Sequence, residues 1–187
     1  MPGIESAAAA GDWIVGFAPL ADRHATRLIL GSMPSVASLA AGEYYAHPRN
    51  AFWRLIAELT GTPPTLPYAQ RIETLRTQGI ALWDVIHRCQ RAGSLDQRID
   101  VDTLQINDFD TFFNEYHGIR QVFFNGGQAA AVWRRRVVPA LAGRRKLPPG
   151  VRLPSTSPAH AALSFAQKLA AWRVILDENL QQGGTDD

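Results

Sequence analysis

One cysteine, Cys89, is all the 187-residue chain has, so no intrachain disulfide forms and a disulfide-stapled scaffold is excluded. Nowhere does the sequence approach the roughly 18–20 consecutive apolar residues that a membrane-spanning helix needs. Residues 1–10 lack a basic stretch followed by an apolar core, so no secretory signal is read there. A protein of the reducing cytoplasm is the expectation. Lysine is nearly missing, since only Lys146 and Lys168 among the nineteen basic residues are not arginine. Acid is missing from one long stretch: Tyr116 to Leu176 holds ten Lys/Arg and no Asp or Glu. The remainder holds nine basic and seventeen acidic side chains, so a net charge of +2 hides a strongly basic C-terminal third. Guanidinium forks match phosphate geometry, which suits a polyanionic partner; the bland alternative is charge spread over solvated helix faces. The 46% apolar content excludes a disordered tail protein, and one domain burying roughly 70% of its unfolded surface is expected.

Residues 1–12 and 182–187 read as tails around a single domain at 13–181. Thr26–Ser32 is a short apolar run ending at glycine, a buried strand by pattern. Phe52, Leu55, Ile56 and Leu59 make the apolar stripe of a helix over Asn50–Leu59, which Asn50 can cap and Gly61 can stop. Tyr68–Gln78 reads as a second helix, Ile80–Ile86 as a strand, and Asp108–Tyr116 as a short helix capped by Asn107. A strand at Arg120–Phe124, a helix at Gly127–Leu141, a strand at Val151–Leu153 and a long helix from about Ala161 to Leu180 complete the pattern. Strands alternate with helices, which predicts an α/β fold with a parallel sheet covered on both faces. Ligands of such sheets sit at the carboxyl ends of the strands.

Those ends are Gly31-Ser32-Met33-Pro34-Ser35, Trp83-Asp84, Asn125-Gly126-Gly127 and Ser155-Thr156-Ser157-Pro158-Ala159-His160. Between the first strand and its helix lies Tyr44-Tyr45-Ala46-His47-Pro48-Arg49-Asn50-Ala51-Phe52-Trp53. Two adjacent tyrosines beside His, Arg and Asn offer a flat stacking surface next to donors and acceptors. Taken together, GSMPS, YYAHPRNAFW, GIALWDVI, FFNGGQA and STSPAHA resemble the uracil-DNA glycosylase superfamily. The likeness is to the hypoxanthine-DNA glycosylase branch first and to the mismatch-specific uracil-DNA glycosylases second.

That resemblance implies a three-layer α/β/α domain with a four-stranded parallel sheet and a flipped, deaminated base held at the strand ends. It implies hydrolysis of the N-glycosidic bond by water, with no metal and no cofactor, on DNA containing deaminated bases. A monomer is expected. Gly31 to Ser35 matches the family loop that normally carries a catalytic Asp or Asn. Met33 stands at that polar position, leaving the backbone N–H groups of Ser32 and Met33 as base contacts. The resemblance makes Asn50 the residue that positions water, with helix capping as its rival role. Tyr45 takes the place of the aromatic that stacks on the base; ordinary core packing is the alternative.

Asp84 stands where relatives carry an Asn that reads the base edge. A turn, or a pair with Arg88, is the other reading. Asn125, Gly126 and Gly127 are expected close to base or phosphate, or else simply to turn the backbone. Ser155 to His160 matches the family's minor-groove loop. Ser155 replaces a His there, Ser157 becomes a phosphate ligand, Ala159 replaces a Leu wedge, and His160 is its candidate substitute. Three functions compete: a glycosylase for hypoxanthine and then uracil, including a mismatch-specific uracil/thymine variant; a catalytically silent nucleic-acid-binding module; and a small-molecule hydrolase. The absence of a GxSxG elbow weighs against the last.

Overall fold

The computed structural model describes residues 12–91 and 99–177. Four parallel strands form the central sheet: β2 (Arg27–Gly31), β3 (Ile80–Asp84), β6 (Gln121–Asn125) and β7 (Gly150–Leu153), in the order β3-β2-β6-β7. Side chains alternate across it. Leu28, Leu30, Ala81, Trp83, Val122 and Phe124 face one buried cluster; Ile29, Ile80, Leu82 and Phe123 face the other. Both faces are apolar because both are covered, as parallel sheets require.

Helices α2 (Phe52–Thr60), α3 (Tyr68–Thr77) and α7 (Phe165–Trp172) pack on the second face. Helices α4 (Phe109–Glu115) and α5 (Gly127–Val132) pack on the first, where Trp83, Phe109, Phe112 and Trp133 form an aromatic cluster. A short helix, α1 (Val36–Ala41), follows the β2 loop. The expected three-layer α/β/α architecture is therefore the observed one.

Several local expectations change. The Ile80–Ile86 run breaks at Val85: its N–H continues to Gly31 C=O at 2.9 Å, and the backbone then leaves the parallel sheet as β4 (Ile86–Arg91). Strand β4 pairs antiparallel with β1 (Asp12–Val15) and β5 (Gln105–Ile106), a small second sheet that sequence pattern did not anticipate. Asp12, assigned to the tail, is the first residue of β1; residues 1–11 and 178–187 lie outside the described residues.

Helix α4 is capped by Asp108, whose carboxylate accepts from Thr111 N–H at 3.0 Å, and not by Asn107. Asn107 is buried, and its amide donates to the backbone carbonyl oxygen of Asp84 at 2.8 Å. The Gly127–Leu141 helix runs through a π-helical turn at Trp133–Val137 into α6 (Val138–Leu141). The last helix is shorter than expected. Ser164 and Gln167 close a reciprocal capping box that starts α7 several residues later than the expected Ala161, and a 3-10 turn, Arg173–Leu176, ends it. No described helix is long and apolar enough to cross a membrane.

Candidate active site

At the carboxyl ends of the four parallel strands lies an open cleft of about 340 Å³, in the size range of small-molecule sites. All twelve residues that the sequence singled out line it. Strand β2 delivers Gly31 and then Ser32 and Met33. Met33 is 93% buried and packs with the core residues on one face of the sheet. Ser35 caps α1 and its hydroxyl donates to Ser38 Oγ at 3.1 Å.

From behind, Arg91 on β4, itself buried, donates to Pro34 C=O at 2.5 Å. A guanidinium fork is rigid and always charged, so it fixes that carbonyl, and the loop with it, more firmly than a neutral donor would.

Asp84 ends β3 and is 97% buried. The parallel register sets Asp84 beside Gly31, and the carboxylate leans over the missing glycine side group. A Cβ on Gly31 would collide with Asp84 Oδ1 and lie 2.9 Å from Tyr45 Oη. The bare Cα at Gly31 is what lets a carboxylate and a phenol converge at one strand end. Among the described residues, Asp84 is the only Asp or Glu that lines the cleft. Burial raises the Tyr44 phenol above the ordinary tyrosine range, and the Asp84 charge raises it further.

Tyr45 stacks on Phe52, ring centroids 4.0 Å apart at 25°, and is one of the residues lining the cleft. Asn50 stands two residues ahead of α2, one before the Ala51 cap position. Its Oδ1 accepts from Phe52 N–H at 3.0 Å. The amide thus supports the helix start, as capping would, while still lining the cleft. An amide oxygen has two lone pairs and an amide nitrogen two protons, so that contact leaves capacity toward a ligand. The expected Asn50 cap is corrected by one position: Ala51 holds the cap, and Asn50 supports the first turn from just outside it.

Asn125 ends β6, and both ends of its amide reach Thr156. Nδ2 donates to Thr156 Oγ1 and Oδ1 accepts from Thr156 N–H, each at 2.9 Å. Thr156 C=O in turn accepts from Ala51 N–H at 3.0 Å. Thr156, which lies within the STSPAHA segment but was given no role there, is therefore the knot joining β6, the β7 loop and the start of α2. Gly126 adopts φ 101°, and a Cβ there would lie 2.9 Å from Ser155 Cβ; the two loops touch.

The β7 loop is wound on its own hydroxyls. Ser155 Oγ accepts from Ser157 N–H, and Ser157 Oγ from Ala159 N–H, both at 3.2 Å. Ala159 is exposed at the lip, and the His160 carbonyl accepts from buried Lys168 Nζ at 2.8 Å. Desolvation lowers the pKa of that ammonium. Lys168 gave no sequence signal, because an inward lysine on an amphipathic helix reads as a polar interruption. Among the described residues no group of three His, Cys, Asp or Glu gathers as metal ligands would.

The arrangement offers a flat aromatic face, a buried acceptor beside it, an amide at the mouth and a rim of small residues and hydroxyls. A family model described as the uracil DNA glycosylase superfamily matches residues 18–176. A hypoxanthine DNA glycosylase of Methanosarcina barkeri is 37% identical over 112 residues, covering 59% of this chain and 70% of that one. Its counterpart from Methanosarcina acetivorans is 36% identical over 115 residues, covering 61% and 72%. A solution NMR structure from the latter organism, of a protein provisionally assigned as a uracil DNA glycosylase, superposes with a TM-score of 0.71 at 29% identity. It covers 89% of this chain and all of that one.

Proposed function

The chain belongs to the uracil DNA glycosylase superfamily, and from that premise we propose that it is a monofunctional DNA glycosylase, acting as a monomer in the cytoplasm. It removes deaminated bases from DNA, hypoxanthine first and uracil second. The observation that supports this reading best is the meeting of Asp84 and Tyr45 over Gly31 at the floor of the strand-end cleft.

A base inside a duplex is out of reach of that floor, so it is everted at a cost of a few kcal/mol, least for a mispaired base. Arginine contacts to phosphate offset the cost. The everted ring stacks on Tyr45, whose far face already rests on Phe52. Hypoxanthine, uracil and xanthine carry a ring N–H beside a carbonyl, where adenine and cytosine carry a bare nitrogen. Asp84 accepts from that N–H and repels the bare nitrogen, so deamination is sensed as a change from acceptor to donor. Guanine shares the N–H; the cost of opening a G·C pair holds it in the helix.

Bond breaking is dissociative. The glycosidic bond lengthens, positive charge grows on the sugar near the DNA phosphates, and the Ser32–Met33 backbone takes up charge on the departing base. Asn50, braced by Phe52 N–H, guides water to the sugar carbon. Ser155, Ser157, Ala159 and His160 lie against the backbone and minor groove, and Gly126 and Gly127 let it approach. Asn125 serves by holding Thr156 in place.

The test is incubation with duplexes carrying hypoxanthine, uracil, a thymine mismatch or normal bases, followed by alkali cleavage of abasic sites. Cleavage at hypoxanthine is expected to be fastest. Duplex binding without cleavage at any site would leave the silent binding module as the correct description.

A further inference from the structure

Tyr45 is the one described residue other than glycine with a clearly positive φ, 55°. Residues that carry a Cβ avoid that region because it crowds the neighbouring carbonyl, and they stay there only when their surroundings hold them. Here the surroundings can be named. Tyr44 N–H donates to the Tyr68 hydroxyl at 3.0 Å, and Tyr44 C=O accepts from Trp53 Nε1 at 2.7 Å. On the other side, Ala46 N–H donates to Ser38 Oγ at 3.3 Å. The backbone on both flanks of the strained residue is thus gripped by side groups of α1, α2 and α3.

Each gripping group is itself fixed. Ser38 is buried and bonded to Ser35 Oγ; Trp53 is buried and packs edge-on to the Tyr68 ring at 5.7 Å. Tyr44 is anchored by its own hydroxyl, which donates to Ala18 C=O at 3.2 Å. Three elements outside the strand-end loops therefore commit polar groups to holding one residue in a disfavoured turn. That turn is what lays the Tyr45 ring flat on Phe52.

We propose that Tyr68 is a positioning residue for base release, its hydroxyl joining Trp53 and Ser38 in a clamp that presents the Tyr45 ring to the cleft before DNA arrives. The proposal rests on Tyr45 being the stacking surface. Without the clamp, residue 45 relaxes toward negative φ and the ring leaves Phe52. The competent fraction of enzyme then falls, and base release falls with it. Phosphate contacts, which supply most duplex affinity, stay as they were.

Tyr68→Phe removes one oxygen and leaves the ring against Trp53. Single-turnover release from inosine duplex is expected to fall about tenfold, with duplex affinity within about twofold. Ser38→Ala tests the other flank, with the same loss expected and the same reading should Tyr68→Phe fold poorly. Tyr45→Gly supplies the decisive comparison, because glycine accepts positive φ freely and has no ring to present. In that background Tyr68→Phe should lower the residual rate less than about twofold. A full tenfold loss there, or unchanged rates in both single variants, overturns the proposal. Amide exchange in the absence of DNA separates this from failure of the functional reading: Tyr68→Phe must expose the Tyr44 amide, and Ser38→Ala the Ala46 amide. A wild-type protein that releases no base would refute the glycosylase reading and leave the clamp to be judged by exchange alone. Protected amides in the variants would refute the clamp.

Discussion

Replacing Gly31 by alanine adds one methyl group at the point where the site is tightest. The backbone at Gly31 accepts alanine without strain, so the whole effect comes from space. The new Cβ overlaps Asp84 Oδ1, and Tyr45 Oη lies 2.9 Å away. To reach ordinary contact the carboxylate must retreat by roughly an ångström, and Asp84 is 97% buried in a packed strand end. Overfilling of this kind costs about 1–3 kcal/mol, or about 3 °C of melting temperature per kcal/mol in a domain of this size. The catalytic effect is larger, because misplacing a reacting geometry by about 1 Å costs on the order of a hundredfold. Thermal unfolding and single-turnover release of hypoxanthine measure the two effects separately. Gly42→Ala is the control: φ is 67° there and nothing lies within 4 Å of the added Cβ. It should lower stability by about 1 kcal/mol and leave the rate alone. A Gly31→Ala protein that releases hypoxanthine within about threefold of wild type would refute the reasoning.

Asn50→Ala should bind inosine duplex normally, release base at least about a hundredfold more slowly, and lose about 1 kcal/mol from the start of α2. Asn50→Asp keeps an acceptor for Phe52 N–H and should recover the stability, as urea unfolding will show. Asp84→Asn should cut hypoxanthine release about 10- to 100-fold, the worth of a hydrogen bond to a charged group, and narrow the preference over adenine in a competition assay. Asn125→Ala removes both contacts to Thr156 and should destabilise by about 2 kcal/mol in urea. Hydrogen bonds from Thr111 hold the Asp108 pKa below the usual carboxylate range. Its stabilising effect is complete above the unfolded pKa and fades as pH falls through the lower folded value. The melting difference between wild type and Asp108→Ala should therefore shrink in acid.

Where local chemistry decides the structure, the sequence was readable. Leu28-Ile29-Leu30 and Val122-Phe123-Phe124 are apolar without a break, as strands buried on both faces must be, and their carboxyl ends converge on one cleft. What escaped depends on distant partners. Strand β1 is four residues long and exists because Asp12 to Val15 find Arg91 to Arg88, more than seventy positions away. Asn107 and Asp108 are equally good caps by type; a buried demand, the Asp84 carbonyl, claims the first and leaves the helix to the second. Thr156 looked like an ordinary loop residue because its partners, Asn125 and Ala51, come from the end of β6 and the start of α2. The strain at Tyr45 had no sequence mark, since a tyrosine at positive φ breaks the usual rule and is imposed by its neighbours.

One structure would weigh the whole account: the Asn50→Ala protein bound to a duplex with a single deoxyinosine. Hypoxanthine should appear outside the helix, parallel to the Tyr45 ring, with its N1 about 3 Å from an Asp84 oxygen. A base still stacked between its neighbours, with the cleft turned away from the DNA, would contradict it.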